Sequence, residues 1–195
     1  MRTDRRLKRL EDVLRHRQPD LTVVVENIHD PHNVSAILRT CDAAGIGSIQ
    51  LIYTDTVFPD LGKKSSASAK KWVDRRRFKS VKECYDTLRA EGYAIYATHL
   101  TECSKSIYEI DWKQKIAVVV GNEHEGVSPE AAAGADGIIA IPMFGMIQSL
   151  NVSVATAVIV FEAVRQRIAA GQYDNAKYPD GELAQLLKIW TMKDS

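Results

Sequence analysis

Apolar residues first recur at Leu7, Leu10, Val13 and Leu14, the three-and-four spacing of one helix face, and Pro19 stops the run. Residues 1–18 therefore predict an amphipathic helix. Residues 21–26 are short, apolar and β-branched, which predicts a strand, and 33–44 follow a loop as a helix closed by Gly45. The same alternation continues with strands at 48–52, 72–78, 93–98, 116–120 and 137–141 and helices at 81–90, 129–133 and 152–169. Strands alternating with helices predict an α/β fold, a parallel sheet with helices on both faces. The stretch 152–161 is apolar on nearly every side, so its helix is expected to be buried all round. A small domain rarely buries a whole helix alone, so a subunit interface is implied.

The chain has 195 residues, 45% of them hydrophobic and 26% charged, as one soluble globular domain requires. No linker or internal repeat divides it, and 1–195 is read as a single domain with a C-terminal extension over 171–195 that carries a helix. No apolar run approaches the ~18 residues of a membrane span, and no signal segment follows the Arg-rich start. Cys41, Cys84 and Cys103 are odd in number and lack CxxC spacing, which suits a reducing compartment and places the protein in the cytoplasm.

A net charge of +1 conceals an uneven distribution. Residues 1–18 hold seven bases, Arg5, Arg6 and Arg9 among them, against three acids. Residues 63–82 hold nine, including Lys63, Lys64, Lys70, Lys71, Arg75 and Arg76, against Asp74 alone. The remainder is acidic by eleven charges. Serines at 65, 66 and 68 and the rings of Trp72 and Phe78 accompany the second run, the mixture that binds a polyanion; a solvated face is the plainer alternative.

Parallel sheets bind ligands beyond the carboxyl ends of their strands, and four loops there carry candidate chemistry. The first, 27–33, leads from Asn27 to Asn33 and on to Arg39. Asn33 is either a helix cap or a site residue, and Arg39 either a structural ion pair or an anion contact. His29 and His32 have no third ligand nearby, so no metal is expected. The second loop reads Gly121-Asn122-Glu123-His124-Glu125-Gly126. Its glycines allow close approach of backbone to a ligand, and Glu123 either bonds a base or ribose or supports the next helix start. The third runs from Ile141 through Met146 to Ser149, Leu150 and Asn151, where the polar residues either cap the helix or serve a site; the fourth is Thr98-His99-Leu100-Thr101. A GxxxxGK[ST] phosphate loop, a dinucleotide fingerprint and a GxSxG elbow are all absent.

In order, Asn33 to Arg39-Thr40, Gly121-Asn122-Glu123 to Gly126, and Ile141-Pro142-Met143 through Ser149-Leu150-Asn151-Val152-Ser153 resemble the three motifs of the SPOUT RNA methyltransferases. The TrmH family of tRNA ribose methyltransferases is the nearest likeness. It extends over nearly the whole chain, including Arg17-Gln18-Pro19-Asp20-Leu21-Thr22, without the long N-terminal RNA-binding domain of rRNA-modifying relatives. The resemblance implies a core over 19–170 with a C-terminal deep trefoil knot, homodimerisation through the knot helices, and S-adenosylmethionine bound there by Thr98, Leu100, Gly121, Ile141, Met146 and Leu150. It implies 2′-O-methylation of guanosine 18 in the tRNA D-loop. Arg39 would be central and Asn33 supporting, with Glu123, Ser149 and Asn151 shaping the pocket. Another tRNA position, rRNA, or a non-catalytic RNA-binding module stay open as alternatives.

Overall fold

The computed structural model describes residues 4–54, 57–59 and 69–193. Its elements are α1 (Asp4–Arg15), β1 (Leu21–Glu26), α2 (Pro31–Ala43), β2 (Ser48–Ile52), α3 (Ala69–Trp72), β3 (Asp74–Phe78), α4 (Val81–Ala90), β4 (Ala94–Thr98), β5 (Lys105–Ser106), β6 (Ile116–Val120), α5 (Pro129–Gly134), β7 (Gly137–Ala140), α6 (Val152–Ala169) and α7 (Asp180–Lys193). The strands form one parallel sheet in the order β3-β2-β1-β6-β4-β7-β5. Every residue of β1 and β6 is buried, as central strands covered on both faces must be.

One face packs under α2 and α6 through Val23, Val25, Ile37, Leu38, Ile159 and Val160. The other packs under α4 and α5 through Val24, Leu88, Ile95, Val119 and Ala131. Because β6 enters between β1 and β4, the loops leaving β1, β6, β4 and β7 share one edge of the sheet. The terminal helices α1 and α7 pack on each other around Leu10, Leu14, Leu183 and Trp190.

Four details depart from the sequence reading. α1 stops at Arg15, before Pro19 is reached. The 72–78 strand divides into the end of α3 and the five-residue β3, whose run of four charged residues suits an edge strand. Within the loop 99–115 lie β5, too short to show a period, and a 3₁₀ turn, Ile107–Glu109, opened by a Ser106/Glu109 capping box. Finally, α6 is not buried all round: Val154 and Phe161 are 49% exposed and Ile168 is 61% exposed. No helix among the described residues is long and apolar enough to cross a membrane.

The end of α6 is clasped by chain far away in sequence. The guanidinium of the fully buried Arg167 donates to the carbonyl oxygens of Trp112 (2.9 Å), Gln114 (2.8 Å) and Asp20 (3.2 Å), to Gln18 Oε1 (3.0 Å) and to Asp20 Oδ1 (2.5 Å). Gln166 adds a reciprocal pair, accepting from Trp112 N and donating to the Ile110 carbonyl, both at 3.0 Å. Burying a guanidinium is tolerable only when its donors are satisfied. Arg167→Met is therefore expected to lower unfolding stability by about 3–5 kcal/mol, the cost of breaking a buried charge network. Urea denaturation followed by circular dichroism reads this directly, and a change below ~1 kcal/mol would remove the clasp from the stabilising interactions.

Candidate active site

The first loop is set by an unusual backbone. Asn27, at the end of β1, is the only non-glycine described residue with positive φ, 47°. Asparagine tolerates that region better than most residues. Its side chain fastens to the end of β2, accepting from Thr54 N at 3.0 Å and donating to Thr54 Oγ1 at 3.1 Å. Asp30 then caps α2 by accepting from His32 N at 2.8 Å, and Pro31 opens the helix. With the cap supplied by Asp30, Asn33 is released from that role and lies buried in the first turn.

Asn33 instead joins three loops. Its Nδ2 donates to Glu123 Oε1 at 2.9 Å, and its Oδ1 accepts from Asn151 Nδ2 at 3.0 Å. Glu123 also accepts from the backbone N–H groups of His29 and Asp30, each at 3.2 Å. Asn151 caps α6 as well, its Oδ1 accepting from Ser153 N (2.9 Å) and Val154 N (3.4 Å). A continuous line of hydrogen bonds thus runs from the positive end of the α6 dipole, through two amides, to a carboxylate. Glu123 does not support the start of α5; Ser128 does that, held by the buried Glu26 carboxylate, which accepts from Ser128 N at 2.9 Å and Oγ at 2.5 Å.

Beside this line opens a cavity of about 470 Å³, within the range of small-molecule sites. Thr98, Leu100, Gly121, Glu123, Ile141, Ser149, Leu150 and Asn151 all line it. A Cβ at Gly121 would stand 2.1 Å from the Gly126 carbonyl oxygen, so only glycine lets the 121–126 loop fold back on itself. Among the described residues no hydrogen bond engages 142–150, so the backbone donors and acceptors of that wall remain available. Apolar side chains combined with free backbone groups fit a nucleoside ligand recognised mainly through the main chain.

The remaining site candidates fall elsewhere. Met146 is 99% exposed and does not line the cavity. Arg39 is exposed on α2, with no hydrogen-bond or ion-pair partner among the described residues; it lines a separate groove with Ala36, Thr40 and Phe161. Asn27, Glu26 and Ser128 were given no role by sequence, although the density of Asn, Asp and Pro over 27–33 marks a constrained turn. Among the described residues no group of three His, Cys, Asp or Glu is arranged to hold a metal ion.

Comparison with known proteins decides the family, because the model of the SpoU rRNA methylase family matches residues 20–161, from just before β1 into α6. This chain belongs to the SpoU methylase family. It is 49% identical, over 98% of both chains, to the tRNA (guanosine(18)-2′-O)-methyltransferase of Thermus thermophilus. The crystal structure of the Aquifex aeolicus TrmH/SpoU tRNA modifying enzyme superposes with a TM-score of 0.92 at 39% identity, covering 98% of this chain and 97% of that one. The methyltransferase AviRb of Streptomyces viridochromogenes, solved with the cofactor AdoMet, is 27% identical with a TM-score of 0.67, over 81% of this chain and 62% of its own.

On this SpoU methylase the described parts of the two basic runs touch at Trp72. Arg6 of α1 lies over the Trp72 ring at 5.9 Å, and Trp72 packs on Trp190 of α7 at 4.9 Å. Arg5, Arg6 and Arg9 line one shallow groove; Lys70, Lys71 and Arg75 line another. Arg76 is already paired with Glu91 at 2.8 Å and lies over Phe78. Lys63 and Lys64 lie outside the described residues.

Burial pushes the Glu123 carboxyl up, but the Asn33 amide and the surrounding backbone N–H groups outweigh it and hold the pKa below the ordinary 4.5. Such a depressed acid contributes stability that is complete above its unfolded pKa and disappears as pH falls through the folded value. Glu123→Gln, which points an amide group at donors, is expected to cost about 1–3 kcal/mol at pH 7. Urea denaturation at several pH values should show that difference from wild type shrinking below pH 4.5. A difference constant with pH would contradict the assignment.

Proposed function

We propose that this SpoU methylase transfers a methyl group from S-adenosylmethionine to the ribose 2′-oxygen of guanosine 18 in tRNA. The observation that carries the reading is the junction of Asn33, Glu123 and Asn151 at the mouth of a cavity fit for a nucleoside, in a chain so similar along its length to an enzyme of that name. S-adenosylmethionine supplies a methyl group on a sulfonium whose thioether departs neutral. Thr98, Leu100, Gly121, Ile141 and Leu150 would hold it, largely through backbone groups, with Met146 closing from the 142–150 segment. Ser149, beside Asn151, shapes the nucleoside end.

A guanidinium keeps its proton in proteins and does not act as a base near neutral pH. Arg39 instead positions: its donors hold a substrate phosphate and the 2′-hydroxyl together, so that the hydroxyl proton passes to the phosphate oxygen as the C–O bond forms. Arg39 lines a groove apart from the cavity of its own chain, which is one reason to read the enzyme as a homodimer. Phe144 (98%), Met146 (99%), Val154, Phe161 and Ile168 expose apolar surface that a second copy would cover, and Phe161 shares the Arg39 groove. Supplied at that seam, Arg39 meets the substrate between two copies.

The clasp of α6 by 110–114 supports threading of the chain through the 99–115 loop, the trefoil knot expected of the family. The whole of 1–195 is read as one domain, a core over 19–170 with terminal segments 1–18 and 171–195 whose helices α1 and α7 pack on each other. Free thiols at Cys41, Cys84 and Cys103 agree with a cytoplasmic location. The basic grooves of Arg5, Arg6 and Arg9 and of Lys70, Lys71 and Arg75, together with Arg76, take the tRNA backbone, and the charge of Lys63 and Lys64 in the same run assigns them the same task.

Labelled methyl transfer to tRNA transcripts, mapped by mass spectrometry, should place the methyl on the ribose of guanosine 18 and none on a transcript with adenosine there. Methylation at another tRNA position or on rRNA instead would overturn the substrate. Arg39→Ala should slow single-turnover transfer on the order of 10²-fold or more, as loss of a transition-state donor does, with cofactor affinity unchanged; retention within a few-fold would contradict its role. Neutralising Lys70, Lys71 and Arg75 should flatten the slope of log affinity against log salt by roughly 0.7–0.9 per lost phosphate contact.

A further inference from the structure

The amide of Asn122 is oriented without ambiguity. Its Oδ1 accepts from the backbone N–H groups of His124 (2.8 Å) and Glu125 (3.3 Å), and its Nδ2 donates to the Asn27 carbonyl at 3.1 Å. The second Nδ2 hydrogen points at His29 Nδ1, 3.1 Å away. An N–H can be received there only by a lone pair, so His29 Nδ1 is unprotonated and the ring hydrogen sits on Nε2. The ring is otherwise exposed, and Nε2 has no partner among the described residues. His29 stands on the loop whose own N–H groups bind Glu123, beside the cavity that Asn122 and Glu123 line.

We propose that His29 is a substrate-contacting residue, a neutral imidazole fixed by Asn122 in the Nε2–H form that donates this hydrogen to a phosphate or ribose oxygen of the RNA. RNA entering the cavity ribose-first carries oxygen acceptors past this rim, and a donor of fixed direction matches them where a nitrogen lone pair would not. A neutral donor also adds orientation without the indiscriminate attraction of a cation. The inference rests on the methyl-transfer reading and adds to it a residue that orients the substrate.

The two ring nitrogens can be separated by substitution. His29→Asn keeps an acceptor where Nδ1 stands and removes the Nε2 donor; His29→Gln keeps a donor at the Nε2 distance and loses the Nδ1 acceptor. Nitrogen-15 spectra of the imidazole should show the Nε2–H tautomer in wild type, and Asn122→Ala should release it into a mixture. His29→Asn should lower kcat/KM for tRNA tenfold or more, with cofactor affinity within twofold and the melting temperature unchanged. His29→Gln should recover part of that loss, a rescue that a merely structural role would not give. An Nδ1–H tautomer in wild type, or His29→Asn within twofold of wild type, overturns the proposal. Failure of the functional reading has a different signature, a wild-type protein that transfers no methyl group to tRNA.

Discussion

The candidate site depends on one side chain with two commitments. Asn33 gives its donor to Glu123 and its acceptor to Asn151, so the loop after β1, the loop after β6 and the entry to α6 are fixed relative to one another by a single amide. Neither end can move without leaving a part-buried polar group unpaired, which costs about 1–3 kcal/mol. The partners are anchored in turn. Glu123 holds two backbone N–H groups of the first loop, and Asn151 holds the first turn of α6. The polarity runs in one direction, from helix dipole to carboxylate, so each bond strengthens the next.

Such a tie is possible because of strand order. β6 pairs with β1 on one side and β4 on the other, so residues about ninety positions apart leave the sheet at adjacent points. The Arg167 clasp performs the same service at the opposite end of α6, binding the segments before β1 and β6. Held at both ends, α6 presents its first turn to the site and its exposed apolar face outward. The segment 142–150 between these fixed points is the part with free backbone groups, where a ligand can supply the missing partners.

The sheet was legible because buried parallel strands leave continuous β-branched runs, as in Val23-Val24-Val25 and Val118-Val119-Val120, and the limits of α6 at 152 and 169 follow from its apolar pattern. β5 was not, since a two-residue strand carries no period, and β3 was read two residues too long because its start runs straight on from the short α3. Asn33, Glu123 and Asn151 stood out as candidates, but their mutual bonds are tertiary. A competing local signal, a helix cap, explained Asn33 equally well until Asp30 took that place. Asn151 turned out to be both cap and link, so its two readings were never exclusive. The left-handed turn at Asn27 and the isolation of Arg39 from the cavity leave no trace in spacing. Charge counting found two basic runs; that they touch follows only from the contacts of the Trp72 ring with Arg6 and with Trp190.

The shared amide is tested most directly by a double-mutant cycle between Asn33 and Asn151, read by the single-turnover rate of methyl transfer to tRNA. If Asn33 acts by joining the loops, Asn33→Ala and Asn151→Ala should each slow transfer strongly. The double variant should then be little worse than either alone, a coupling of about 1 kcal/mol or more. Effects that add to within ~0.3–0.5 kcal/mol would show that the two residues act independently and contradict a site built on their link.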